Sequence, residues 1–385
     1  MAPWDSPPPP PPSWSIEMPG GSPYYIGLLF VILSQVICTP LCILAYQFKK
    51  GPAVLQYAVG LATAALPVFI QPYVAQYLMD NGYANEMDVL AGRFVGSSTY
   101  AFTAFRIFGA AAGGTPKGAD ASLDVWIAYA TAAVDPLFDK DKGKPIRPKP
   151  GAIPSRLVTI VLRLLGLSIF SSLSKPFGGM PATRYLEGQG ADPMLVMCGT
   201  YVFDYVLVQL MLIYLFLSVL MDVGALLLIA QNFEVLSPFE NPLFSTRSPG
   251  DFWGKRWNIQ VTTTLKRCCF VPLVKAGVSK PVAGIATFVF SGLFHEYQFL
   301  LSFPKYVLGS ISAFFLMHAV IGFFESLWRK SFGTGWPLEK SIPEAAKGLI
   351  ICIIFSPTIP YFTKIWIDEG MYDLMSLMAP QIKYG

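Results

Sequence analysis

Charge is what this 385-residue sequence has least of. Asp, Glu, Lys and Arg make up 14% of it, against about 25% in soluble globular proteins. Hydrophobic residues reach 53% and the mean hydropathy is +0.49, more apolar surface than ordinary cores can hide. A soluble enzyme and a disordered chain are both excluded, and bilayer becomes the expected solvent. Neither sign of charge dominates: 28 basic residues face 24 acidic ones, for a net +4. That balance argues against nucleic acid as a partner. The six cysteines, Cys38, Cys42, Cys198, Cys268, Cys269 and Cys352, show neither zinc spacing nor a secreted disulfide framework. They read as packing residues of apolar runs, and no metal site is expected. No period of 20–50 residues recurs, so a solenoid is unsupported.

Residues 1–23 hold six consecutive prolines, Pro7 to Pro12, and little charge. They lack the basic start and small-residue cleavage site of a signal peptide, and read as a solvated, disordered tail or a docking motif. Residues 24–385 then read as one membrane-embedded domain. Apolar runs able to cross about 30 Å of hydrocarbon are expected at Tyr24–Gln47, Ala53–Met79, Val89–Ala112, Leu157–Leu173, Met194–Ala230, Val282–Phe303, Tyr306–Trp328 and Ala345–Ile367. The third carries Arg93 and Arg106 and could instead be re-entrant or interfacial. The fifth, with Asp204 and Asp222, is long enough for one tilted span or two short ones. The expected fold is thus an all-α polytopic membrane protein of about eight spans.

Basic residues cluster after the first span, at 140–156, at 247–280 and at 329–340, whereas the loop with Asp80, Glu86 and Asp88 is acidic. Eight spans put every basic cluster on one side, the cytoplasmic side by the positive-inside rule, with both termini luminal.

Histidine is scarcer still. His295 and His318 are the whole supply, and both fall inside expected spans. An ionisable group there is costly and is by default a functional candidate. His295 would lie on the order of 20 Å deep at 1.5 Å per residue. Ser291 sits on the same helical face, and Gly292 leaves room for a substrate or another helix. A neutral imidazole could accept a proton from an alcohol. The plainer reading of either histidine is a hydrogen bond between helices. A second constellation runs from Asn241 to Lys280. Trp253 and Trp257 share one helical edge, and the pairs Lys255/Arg256 and Lys266/Arg267 are cationic. They would meet anionic lipid headgroups, or a soluble polyanion such as the phosphates of coenzyme A.

Asp251-Phe252-Trp253-Gly254-Lys255-Arg256-Trp257-Asn258, followed by Ser291-Gly292-Leu293-Phe294-His295-Glu296, resembles the wax synthase branch of the membrane-bound O-acyltransferases. Phe315 to Val320, with Glu325 beyond, looks like that family's next helix; the detailed likeness covers residues 240–330. The resemblance implies acyl transfer from acyl-CoA to a lipid hydroxyl, with acyl-CoA as co-substrate and no cofactor. It implies a catalytic histidine at His295 and an active-site polar residue at Asn258, which could hold the oxyanion or orient the pantetheine arm. Ser291, Glu296 and His318 would support them. Lys255, Arg256, Lys266, Arg267, Trp253 and Trp257 would form the acyl-CoA mouth. Lys255 stands where many relatives carry Arg, which keeps the charge and loses the fork. The acceptor expected first is a long-chain fatty alcohol, then a sterol, diacylglycerol or secondary-metabolite hydroxyl. A transporter using His295, His318, Asp204 and Asp222 as a proton relay is the competing class. The family also implies residence in the endoplasmic reticulum; the terminal Ile382-Lys383-Tyr384-Gly385 is no retrieval signal.

Overall fold

Helices α1 (Ser22–Gln47) and α2 (Ala53–Asp80) flank a third, α3 (Glu86–Ala111), that they largely enclose. The computed structural model describes residues 14–174, 188, 190–333 and 342–384, so the Pro7–Pro12 tract and Lys340 lie outside the described residues. α3 starts from a capping box: Asn85 Oδ1 accepts from the Asp88 amide at 2.9 Å, and Asp88 Oδ2 accepts from the Asn85 amide at 3.1 Å. Gly92 brings α3 against α1, for a Cβ there would come within 2.4 Å of the Phe30 ring.

Among the described residues, six helices are long and apolar enough to cross a membrane: Ser22–Lys50, Ala53–Asp80, Ala152–Ser172, Pro193–Ala230, Ser310–Phe332 and Ala346–Asp368. They coincide with six of the eight expected runs. The other two, α3 and the histidine helix Lys280–Ser302, are equally continuous at 26 and 23 residues. They lack the apolar composition of the six. Arg93, Ser97, Thr103 and Arg106 on one, and Ser291, His295, Glu296 and Gln298 on the other, are buried inside the bundle. Arg106 pairs with Asp135 at 2.7 Å with both groups buried, so α3 is an interior helix and not an interfacial one.

Pro193–Ala230 is one unbroken helix of 38 residues, widened to π geometry over Gly199–Leu210. Its Asp222 receives Arg156 at 2.8 Å and also Arg163, both from the Ala152–Ser174 helix. The last expected run is divided at Ser356–Thr358, where Pro357 and Pro360 remove amide donors from the ladder. Two short strands, Trp14–Glu17 and Gln381–Tyr384, pair antiparallel and tie the two ends of the described chain together. The end of the expected tail is therefore structured backbone.

Candidate active site

The motif segment folds as a short helical turn at 249–256, a reversal at Trp257 and Asn258, and a helix at 259–275. Asn258 makes the reversal with φ 42° and ψ 61°, a left-handed geometry that asparagine tolerates better than most residues. Its Oδ1 accepts a long 3.5 Å bond from the Val261 amide, which caps the new helix and leaves Nδ2 as a donor.

Three residues of the Ser310–Phe332 helix hold this segment. Glu325 accepts from the Gly250 amide at 2.6 Å, and Arg329 links Glu325 to Ser248. Trp253 Nε1–H donates to His318 Nδ1 at 3.1 Å. Indole nitrogen can only donate, so His318 Nδ1 must accept and Nε2 must carry the hydrogen of the neutral ring. Nε2–H donates to Thr358 Oγ1, 2.9 Å away. Both nitrogens of His318 are thus in use, joining the motif turn to the Ser356–Thr358 break.

His295 has the opposite arrangement. Its Nδ1 lies 2.8 Å from the Ser291 carbonyl, one turn back on the same helix. A carbonyl can only accept, so Nδ1 carries the hydrogen and Nε2 keeps its lone pair. The ring stacks on Phe315 at 4.5 Å between centroids, with an interplanar angle of 28°. Glu296, the next residue, turns away from this chemistry. Its carboxylate accepts from the Gly309 amide at 3.0 Å, the Ser312 amide at 2.9 Å and the Tyr306 hydroxyl at 2.7 Å. It thereby caps the N-terminus of the following helix from outside, where a negative charge also meets the helix dipole. Gly292 leaves room for that helix and not for a substrate, since a Cβ there would lie 3.2 Å from Ser312 Cα.

One cavity of about 390 Å³ brings these parts together. Its wall includes Trp253, Trp257, Asn258, Lys266, Ser291, His295 and His318 among a majority of apolar and aromatic side chains. That size and lining suit a small-molecule site with few polar fixing points. Of the expected cationic set, Lys266 alone is in the wall. Lys255 is 76% exposed and sits 4.0 Å from Asp251, and Arg256 is turned back on Asp251 at 3.3 Å and on the Glu240 carbonyl. Arg267 pairs with Asp135 and lies over the Tyr129 ring. Burial works against its charge, but Asp135 and then Tyr129 outweigh this and hold the guanidinium above its ordinary range. Thr358, which bonds His318, and Phe362, in the cavity wall, bear on the site without any spacing signal in the sequence to announce them.

Residues 236–317 match the model of the membrane bound O-acyl transferase family. The chain resembles the membrane-bound O-acyltransferases, in their wax synthase branch. It is 29% identical over 136 residues to a probable long-chain-alcohol O-fatty-acyltransferase 7 of Arabidopsis thaliana, covering 33% of this chain and 40% of that protein. A probable long-chain-alcohol O-fatty-acyltransferase 3 of the same plant is 31% identical over 120 residues, 29% of this chain and 35% of the relative. An acyl-CoA–sterol O-acyltransferase 1, again from Arabidopsis thaliana, is 28% identical over 138 residues, 34% and 40% of the two chains. The chain thus spans about two fifths of the length of the curated relatives it matches. The matched segment holds Asn258 and His295; His318, Glu325, Arg329, Thr358 and Phe362 lie beyond it.

Proposed function

We propose that this chain is an acyl-CoA-dependent O-acyltransferase that esterifies a long-chain fatty alcohol, with His295 as general base. The observation that carries the reading is the fixed tautomer of His295, whose unshared Nε2 pair belongs to a residue of the cavity wall. In the reaction, Nε2 takes the hydroxyl proton as the alcohol oxygen attacks the thioester carbonyl carbon. Asn258 Nδ2 donates to the developing oxyanion. Collapse breaks the carbon–sulfur bond, and the imidazolium returns its proton to the departing thiolate. The step needs neither a metal nor a cofactor, and no acyl-enzyme.

Apolar walls admit the acyl chain and the lipid alcohol, and they keep water from the thioester. The charged end of coenzyme A stays at Lys266, the cation of the wall. Integral membrane location follows from the six long apolar helices, and residence in the endoplasmic reticulum is part of the proposal. A sterol acceptor is the second reading, favoured by the similarity to a sterol O-acyltransferase. The proton-relay reading gains no support from the geometry. Asp222 is committed to two arginines, and His318 to Trp253 and Thr358.

Membranes carrying the chain should convert labelled acyl-CoA and a fatty alcohol to wax ester. Diacylglycerol and sterols in the same panel measure acceptor choice. Absence of ester from every acceptor, with intact protein present, refutes the reading.

A further inference from the structure

A second cavity, of about 330 Å³, shares no wall residue with the one around His295. It lies at the end of the bundle where α1 and α3 both stop. Tyr46 and Lys49, Gln56 of α2, Ala110 of α3, Trp126 and the loop at 113–120 form its wall. The 26 residues of α1 extend about 39 Å, against about 30 Å of hydrocarbon, so this end of the helix reaches the headgroup layer. The wall is held in place from several sides. Trp126 Nε1–H donates to the Cys42 carbonyl at 2.8 Å, and Gln56 Nε2–H donates to the Ala45 carbonyl at 3.1 Å. The loop is pinned by backbone: a Cβ on Gly114 would come within 2.2 Å of the Arg267 carbonyl oxygen, and one on Gly118 within 1.9 Å of the Gly143 carbonyl oxygen. The space is therefore preformed, which lowers the entropic cost of binding.

Its chemistry differs from that of the apolar site. Lys49 Nζ donates to the Asp120 carbonyl at 2.8 Å and stands 3.9 Å from the centre of the Tyr46 ring. Lys117 Nζ donates to the Asp141 carbonyl. Neither ammonium forms an ion pair among the described residues, and each has three hydrogens, so both keep donors for a ligand. Thr115 adds a hydroxyl that has no partner among the described residues. Exposed Asp139 takes a share of the Lys117 charge: the Lys142 and Asp141 amides, then the charges of Lys142 and Lys117, hold its carboxyl below the usual range. The Asp120 carboxylate is in the wall as well. Two ammoniums and one carboxylate leave the wall with an excess of one positive charge, which matches a phosphodiester better than a doubly charged phosphate.

We infer that this cavity holds the headgroup of an anionic phospholipid, with its phosphodiester on Lys49 and Lys117 and its acyl chains along α1 and α2. Leu44, Val54 and Leu55, within two residues of the wall residues Tyr46 and Gln56, are apolar and exposed. They offer the chains a surface that a free phosphate has no use for. Asp120 accepts from the hydroxyl or ammonium groups that such headgroups carry. The inference does not depend on the acyl-transfer reading, and its test measures no ester.

The test is native mass spectrometry of the full chain in a neutral detergent, titrated with dioleoylphosphatidylglycerol or dioleoylphosphatidylcholine. The glycerol lipid should fill a saturable site and the choline lipid should bind about tenfold more weakly or worse. Lys49→Gln and Lys117→Gln should each weaken the glycerol lipid by about tenfold or more, as loss of a charge-assisted contact implies. Lys50→Gln is the control, because Lys50 is exposed, adjacent and outside the wall; it should hold affinity within about twofold, since exposed surface charges contribute little. Thr115→Phe keeps both ammoniums and fills the space, so it should also abolish binding, and it carries the comparison if a lysine variant does not fold. Excess inorganic phosphate or coenzyme A at constant ionic strength should leave the lipid bound. Equal affinity for the two lipids overturns the inference, as does a loss in Lys50→Gln equal to that in Lys49→Gln. Displacement of the lipid by inorganic phosphate, dependent on Lys49, would give the site to a free anion and overturn the lipid assignment.

Discussion

Replacing the two histidines by alanine should give opposite signatures, and the hydrogen-bond geometry says which is which. His295→Ala removes an imidazole whose one polar partner among the described residues is the Ser291 carbonyl. That carbonyl is not orphaned, because it still accepts the amide of residue 295 within the helix. The fold loses stacking on Phe315 and little else, while the reaction loses its base, about 10²–10⁴-fold in rate. His318→Ala strips a partner from the Trp253 indole N–H and from Thr358. Thr358 retains its bond to the Phe355 carbonyl at 2.7 Å, but the indole donor is left without its acceptor inside the protein. An unsatisfied buried donor costs about 1–3 kcal/mol, so this variant should lose thermal stability more than turnover. His318→Asn, which places an amide oxygen near the former Nδ1, should recover part of that stability. The assay pairs ester formation under single-turnover conditions with detergent-solubilised thermal unfolding for each variant. Equal loss of rate in both alanine variants, with His318→Ala as stable as wild type, would refute the assignment of roles.

Four further outcomes can be measured. Lys266→Ala should raise KM for acyl-CoA several-fold or more, as loss of a charge-assisted contact of about 1.5–3 kcal/mol implies, and leave KM for the alcohol alone. Arg267→Ala should instead lower stability, because it takes a cation from buried Asp135; a donor-KM effect without destabilisation would contradict this. Glu296→Ala leaves the Gly309 and Ser312 amides uncapped and should destabilise the fold, with Glu296→Gln intermediate in a thermal assay. Accessibility labelling of single cysteines should place residues 140–150 and 245–280 on one side of the membrane and 80–88 on the other. Labelling of Lys142→Cys and Lys255→Cys from opposite sides would change the span count by an odd number.

The helices were legible because apolar runs of membrane length leave few alternatives. Hydropathy could not separate lipid-facing helices from enclosed ones. α3 looked ambiguous because Arg93 and Arg106 are costly in lipid, yet both are buried in protein, Arg106 against Asp135. Asn258 and His295, which the motif singled out, both lie in the wall of one cavity. The charges around that wall were less legible. Four cations in one segment look alike in sequence, and only packing reveals that Arg267 faces Asp135, that Arg256 faces Asp251 and that Lys266 enters the cavity wall. Thr358 carried no signal, because its relation to His318 spans 40 positions and depends on the break made by Pro357 and Pro360.

One helix connects the motif residues. The Ser310–Phe332 helix carries both halves of the site. Glu325 and His318 fix the 249–256 turn to it, and that turn leads directly into Asn258. Glu296 and the close approach at Gly292 fix the histidine helix to its first turns. Asn258 and His295 are thus positioned relative to one another through a third element. A shift of about 1 Å in that element would misalign the two groups, and such an error can cost about 10²-fold in rate. The buried carboxylates at 296 and 325, expensive in an apolar bundle, are each offset by backbone N–H groups, and through them they tie the two halves of the cavity wall to that one helix.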